Sequence, residues 1–113
     1  MNRNSTRYFS NKQEKTIAKA LDGKRVSNSG APDFLGGDVK TNQFLIEAKT
    51  VTKPKSSFSI KKDWILKNKE EAFAMHKPYC ALAFNFGPDE ENYYIIDEKL
   101  FKELVKYKEE END

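Results

Sequence analysis

With 113 residues, 37% of them hydrophobic and 12% aromatic, the chain has room for one domain with one modest core. Aromatic and branched aliphatic residues recur in blocks, which excludes disorder of the whole chain, and no apolar run approaches the roughly 20 residues that span a bilayer. The net charge of +2 hides a division: residues 1–62 carry 13 Lys+Arg against 5 Asp+Glu, and residues 63–113 carry 7 against 13.

The first part is therefore a cationic surface of the kind that meets phosphates. Residues 1–9, with Arg3 and Arg7, read as a basic arm, and nothing in them has the apolar core of a secretory signal. Ser10 is placed as a helix N-cap, with Gln13 completing a capping box. Ile17, Ala18 and Leu21 then recur at helical spacing, and Gly23 closes the helix. Glu14 falls on that same stripe. Burying an unpaired carboxylate is costly, so Glu14 sits either at the edge of the stripe or there for a purpose.

Residues 24–27 can form a short strand, followed by a turn-rich stretch over 28–32. Residues 38–41 and 44–51 read as two strands of a hairpin joined through Asn42-Gln43. Alternation along the second strand sends Phe44, Ile46 and Ala48 to one face and Leu45, Glu47 and Lys49 to the other. Residues 51–57 form a polar loop. Ser59 is placed as the cap of a helix over 60–75, with Ile60, Trp64, Ile65, Ala72 and Phe73 as its apolar contacts and His76 at its end. Residues 79–86 make a strand that is apolar on both faces through Phe84, fit for the middle of a sheet. The single cysteine, Cys80, lies in that run, which predicts a buried thiol and a reducing, cytoplasmic setting. Gly87-Pro88-Asp89 turns the chain into a strand over 93–96. Asp97 caps a last helix with Leu100, Phe101, Leu104 and Val105 on one face, and residues 108–113 form an acidic, frayed tail.

These elements predict a single domain over residues 1–113 of α/β (α+β) class. Helices flank a central mixed β-sheet in the order αβββαββα, with a right-handed crossover joining two parallel strands.

Gly36-Gly37-Asp38-Val39 and Glu47-Ala48-Lys49 carry the chemistry. Glu47 and Lys49 project from one strand face about 7 Å apart, and Asp38 begins the partner strand. Two carboxylates on adjacent strands can share a hard divalent cation such as Mg²⁺, which takes oxygen ligands and keeps several waters. A lysine beside them can orient water or offset charge on a phosphate, which suits phosphodiester hydrolysis without a covalent intermediate.

Glu14, Ser29-Gly30-Ala31, Gly37-Asp38-Val39 and Phe44-Leu45-Ile46-Glu47-Ala48-Lys49-Thr50 together resemble the PD-(D/E)XK nuclease superfamily, and within it the small Holliday junction resolvases of archaea and phages. The resemblance covers residues from about 10 to 86. It implies a restriction-endonuclease-like core, a catalytic set of Glu14, Asp38, Glu47 and Lys49, and Mg²⁺, with Mn²⁺ as a substitute. The metal ligands it implies are Asp38, Glu47 and the carbonyl of Ala48, with Glu14 as a further candidate. Ser27 or Ser29 would lie near the scissile phosphate. Glycine precedes Asp38, whereas the literal Pro-Asp pair is Pro32-Asp33; Asp38 is preferred because it runs into the strand that pairs with Glu47.

Lys53, Lys55, Lys61 and Lys62, interleaved with Ser57, follow the catalytic strand and predict a DNA-binding surface, to which Arg3 and Arg7 would add backbone contacts. No base-reading motif is visible, so recognition by shape and backbone is expected. The resemblance implies a homodimer cutting four-way junctions symmetrically, with Trp64, Phe73, Phe84, Phe86, Tyr93 and Tyr94 as candidate interface residues. The competing expectations are another nuclease of this fold (nicking, restriction-like or flap-cutting) and a non-catalytic basic nucleic-acid-binding module.

Overall fold

A computed structural model describes residues 6–26 and 38–111. Arg3, Ser27, Ser29, Asp33 and the Gly36-Gly37 pair lie outside the described residues. The chain runs through α1 (Thr6–Leu21), β1 (Lys24–Arg25), β2 (Asp38–Lys40), β3 (Phe44–Ala48), α2 (Lys62–Ala74), β4 (Tyr79–Phe84), β5 (Tyr93–Ile95) and α3 (Glu98–Glu111). The strands form one mixed sheet in the order β1-β2-β3-β4-β5. Only β3 and β4 are parallel, and α2 is the crossover between them.

The register sorts side chains onto two faces. Arg25 pairs with Val39, Val39 with Ile46 and Ile46 with Ala81, so these four share one face. With Ala48 and Ala83 they back onto α1, whose Ile17 is fully buried among Val39, Ile46, Ala48, Ala81 and Ala83. The opposite face carries Leu45 and Leu82, both buried, and α2 crosses over β3 and β4 there. Burial of these side chains, at ~25 cal/mol per Å² of apolar surface, is what holds the helices to the sheet. Asp38 and Glu47 are register partners on this α2 face.

Several boundaries differ from the sequence expectation. Helix α1 begins at Thr6, so Arg7 and the rest of residues 6–9 belong to a helix and not to an arm. Ser10 is not an N-cap: its hydroxyl donates to Glu14 Oε2 at 2.9 Å, one helical turn on, so it serves a buried carboxylate instead of a free backbone N–H. At the other end Asp22 takes the left-handed conformation (φ 54°) and Gly23 follows it, donating to the Ala18 carbonyl at 2.8 Å. A Cβ on Gly23 would lie 2.7 Å from the Lys40 carbonyl, so glycine is needed for close passage against β2.

Helix α2 starts at Lys62, with Lys61 at the N-cap making no side-chain cap, and Ser59 is exposed. Its end is as expected, with His76 in the left-handed conformation (φ 59°) and Lys77 N–H bonded to the Ala72 carbonyl at 2.8 Å. Of its expected apolar contacts Ala72 is buried, whereas Phe73 is 84% exposed and Ile60 is exposed. β4 ends at Phe84, and Cys80 is half-buried instead of buried because it lines an open hollow between α2 and the start of α3. Burial still pushes its thiol up from the usual value, against the pull of Lys69.

Asp97 caps α3 as expected, accepting the Leu100 N–H at 2.9 Å. The helix continues through Glu111, so residues 108–111 are helical and not a frayed tail. Only Leu100 is buried on α3; Phe101, Leu104, Val105 and Tyr107 are exposed, while Glu103 accepts from the Tyr79 hydroxyl of β4 at 3.3 Å. Among the described residues no helix is long and apolar enough to cross a membrane.

Candidate functional site

The hairpin places the expected catalytic residues. Thr41 and Phe44 close the turn, with Thr41 N–H donating to the Phe44 carbonyl and Phe44 N–H donating to Thr41 Oγ1, both at 3.0 Å. That closure sets the register in which Asp38 stands opposite Glu47. Directly opposed residues on antiparallel strands hold their Cβ atoms about 5 Å apart. The two carboxylates are therefore neighbours on the α2 face.

Lys49 stands two residues beyond Glu47. Its N–H donates to the Ala83 carbonyl at 2.8 Å, which prolongs the parallel ladder by one step past the end of β3. Alternation then returns its side chain to the face of Glu47, and its Nζ lies 2.7 Å from Glu47 Oε2. Both side chains are largely covered, 14% and 12% exposed. The cover comes from α2: Lys49 Nζ sits 4.3 Å from the Trp64 ring centroid, within range for a cation–π contact. The ammonium is thus held between a carboxylate and a ring face. Lys61 approaches the same ring at 5.8 Å.

Glu14 is buried, as its place on the apolar stripe of α1 requires. It accepts from the Ser10 hydroxyl and, at 3.1 Å, from Arg25 Nε. Arg25 shares its row with Val39, on the α1 face of the sheet. The carboxylate of Glu14 is therefore engaged on the face opposite to Asp38, Glu47 and Lys49. Among the described residues no three His, Cys, Asp or Glu side chains gather as a metal-holding group. The donor set that fits a divalent cation is the strand pair Asp38 and Glu47: hard oxygen donors, adjacent, with coordination left for water and backbone carbonyl. Ala48, whose carbonyl the resemblance adds, is fully buried between them and Lys49 in sequence.

Comparison with family models, with curated proteins and with solved structures finds no match.

The expected DNA-contacting lysines Lys53, Lys55, Lys61 and Lys62 are all exposed, as is Ser57. Their loop is pinned to the end of β4 by Lys55 N–H, which donates to the Phe86 carbonyl at 2.7 Å. Arg7 is exposed on the first turn of α1.

Sequence reasoning missed the part that four residues play around the site: Arg25, Trp64, Gln13 and Thr50. Arg25 answers the buried charge of Glu14; the signal was the need of any such carboxylate for a cation. Trp64 is expected from sequence as an apolar contact, yet it also covers the Lys49 ammonium. Gln13 and Thr50 form a tie between α1 and the end of β3. Thr50 Oγ1 donates to Gln13 Oε1 at 2.7 Å, and Gln13 Nε2 donates to Asn92 Oδ1 at 3.1 Å.

Proposed function

We propose that this protein is a Mg²⁺-dependent, structure-selective DNA endonuclease that resolves four-way junctions. The observation that carries this reading is one juxtaposition: Asp38 and Glu47 paired across β2 and β3, with Lys49 on the same face 2.7 Å from Glu47. A nucleic-acid-binding module has no use for adjacent carboxylates inside a cationic surface, since they repel the phosphates it must hold.

In this reading Asp38 and Glu47, with the Ala48 carbonyl, would hold the cation, which would supply Lewis-acid polarisation of the phosphate and a more acidic water. Lys49, clamped between Glu47 and Trp64, offsets the charge that grows on the phosphate oxygens. Its ammonium keeps no long flexible search, because the ring and the carboxylate fix it before substrate arrives. Lys53, Lys55, Lys61 and Lys62 meet the backbone of the strand. Symmetric cutting of a junction adds a twofold copy of the chain to this reading.

The test is cleavage of a synthetic four-way junction, linear duplex, single strand and flap, with and without Mg²⁺, by the parent chain and by Glu47→Ala. We expect Mg²⁺-dependent cutting of the junction in preference to duplex, lost in Glu47→Ala while junction binding persists. Equal rates on all four substrates would remove the junction assignment, and unchanged cutting by Glu47→Ala would remove the site.

A further inference from the structure

Beside Lys49 five aromatic rings from four separate segments come together on the α2 face. Phe58 stands 6.2 Å from Trp64 and 4.8 Å from Phe84; Phe84 lies 5.5 Å from Phe86 and 5.9 Å from Tyr93; Phe86 and Tyr93 are 5.8 Å apart. None of these residues is fully buried, and Tyr93, on the edge strand β5, is 47% exposed. The cluster is thus half-buried, opens to solvent at Tyr93, and is not part of the closed core under α1.

Cations border it on two sides. Trp64 carries Lys49 at 4.3 Å and Lys61 at 5.8 Å. The bond from Lys55 N–H to the Phe86 carbonyl sets the loop bearing Lys53 and Lys55 along the other side. Ring faces interleaved with exposed cations are the surface that takes unpaired nucleic acid. Bases stack on the rings whatever their identity, and the lysines track the phosphates. Duplex bases already stack on one another and show only their edges in the grooves, so this surface has little to offer them.

We infer that the Phe58–Trp64–Phe84–Phe86–Tyr93 cluster is a stacking platform for an unpaired nucleotide of a DNA strand, placed next to the acid–lysine site. The platform makes the preferred substrate one whose bases are unstacked beside the phosphate to be cut, as at a strand exchange point or a frayed end. The inference rests on the nuclease reading for the position of that phosphate, and its test is a binding measurement that cutting does not enter.

The chain has one tryptophan, Trp64, so intrinsic fluorescence reports on the platform directly. The Glu47→Ala chain, without divalent cation, is titrated with a short single strand, the same strand made abasic, and the matching duplex. We expect the single strand to quench Trp64 and to bind about tenfold more tightly than the abasic strand of equal charge. Tyr93→Leu should weaken single-strand binding by about tenfold with the salt dependence unchanged, while Lys53→Ala with Lys55→Ala should flatten the salt dependence. Equal affinity for the normal and abasic strands overturns the platform; this arm needs no change to the rings, so it stands even if Tyr93→Leu fails to fold. Base-dependent binding in a chain that never cuts DNA would instead keep the platform and remove the nuclease reading.

Discussion

At the scale of single residues, two buried or half-buried charges define this chain. Lys49 is the one cation among the described residues that touches both a carboxylate and an indole. Replacing it by Met keeps the stem over Trp64 and removes the charge. Lys49→Met should cut Mg²⁺-dependent junction cleavage by about 100-fold, the usual effect of losing one preorganised stabiliser of transition-state charge. Junction binding should change little, because the exposed lysines carry it. A rate within a few-fold of the parent would show that Lys49 has no part in the chemistry.

Glu14 is the second. With Ser10 and Arg25 as its partners on the α1 face, its carboxylate is placed to brace β1 against α1. Glu14→Ala leaves Arg25 without that partner. Arg25 is partly exposed and can hydrate, so the loss should be about 1–2 kcal/mol, read as a lower denaturant midpoint. Glu14→Gln separates bracing from metal binding: the Mg²⁺ concentration for half-maximal cleavage should not move. A several-fold rise in that concentration would return Glu14 to the metal site that the resemblance implies.

At the scale of elements, the hairpin was legible because two signals agreed. Thr41 to Phe44 has turn composition, and alternation in residues 44–48 leaves only one register that buries Val39 and Ile46 on the α1 face. That register delivers Asp38 beside Glu47, so the heart of the candidate site could be read from sequence. The starts of α1 and α2 were not legible, whereas the Asp97 cap of α3 was. Ser10 and Gln13 fit a capping box by spacing, but a serine hydroxyl serves whatever acceptor is nearest, and Glu14 one turn on takes it. The partners of Glu14 and Lys49 were hidden for a different reason. Arg25 and Trp64 are brought in by a two-residue strand and by the angle at which α2 crosses the sheet, neither of which leaves a periodic trace.

The junction of α2 with α3 makes a prediction of its own. Asp97 accepts the Leu100 N–H and pairs with Lys69 of α2 at 3.0 Å. The backbone bond first, and then Lys69, hold its carboxyl below the usual range. A folded-state value below the unfolded one means that the ionised form stabilises the fold. That contribution is fully present above the ordinary carboxylate range and disappears as the pH falls through the lowered value. Asp97→Ala should cost about 1 kcal/mol at neutral pH, the usual loss for a helix cap. The difference from the parent should shrink in acid, and a difference constant from neutral pH to below the carboxylate range would refute the assignment.

At the scale of the whole molecule, α3 is the element least explained by a lone chain. Leu100 is its one buried residue, yet Phe101, Leu104 and Val105 continue an apolar stripe along it at helical spacing, all of it exposed. Exposed apolar residues scattered singly need no explanation, but a continuous stripe on one helix does. The candidate interface residues from sequence divide accordingly. Trp64 is packed against Phe58 and Lys49, and Phe84, Phe86 and Tyr93 against one another, whereas Phe73, 84% exposed, borders the same hollow as the start of α3. In the junction-resolving reading proposed above, the twofold copy would find its apolar contact on α3 and not on the ring cluster. Light scattering should give twice the chain mass at micromolar concentration. Phe101→Glu with Val105→Glu should return the monomer and leave the Asp38–Glu47–Lys49 geometry untouched. Because each copy then meets a junction alone, this variant should nick one strand and fail to release paired, symmetric cuts. A parent chain that is monomeric while cutting both strands at the same rate would refute the dimer and leave α3 to another partner.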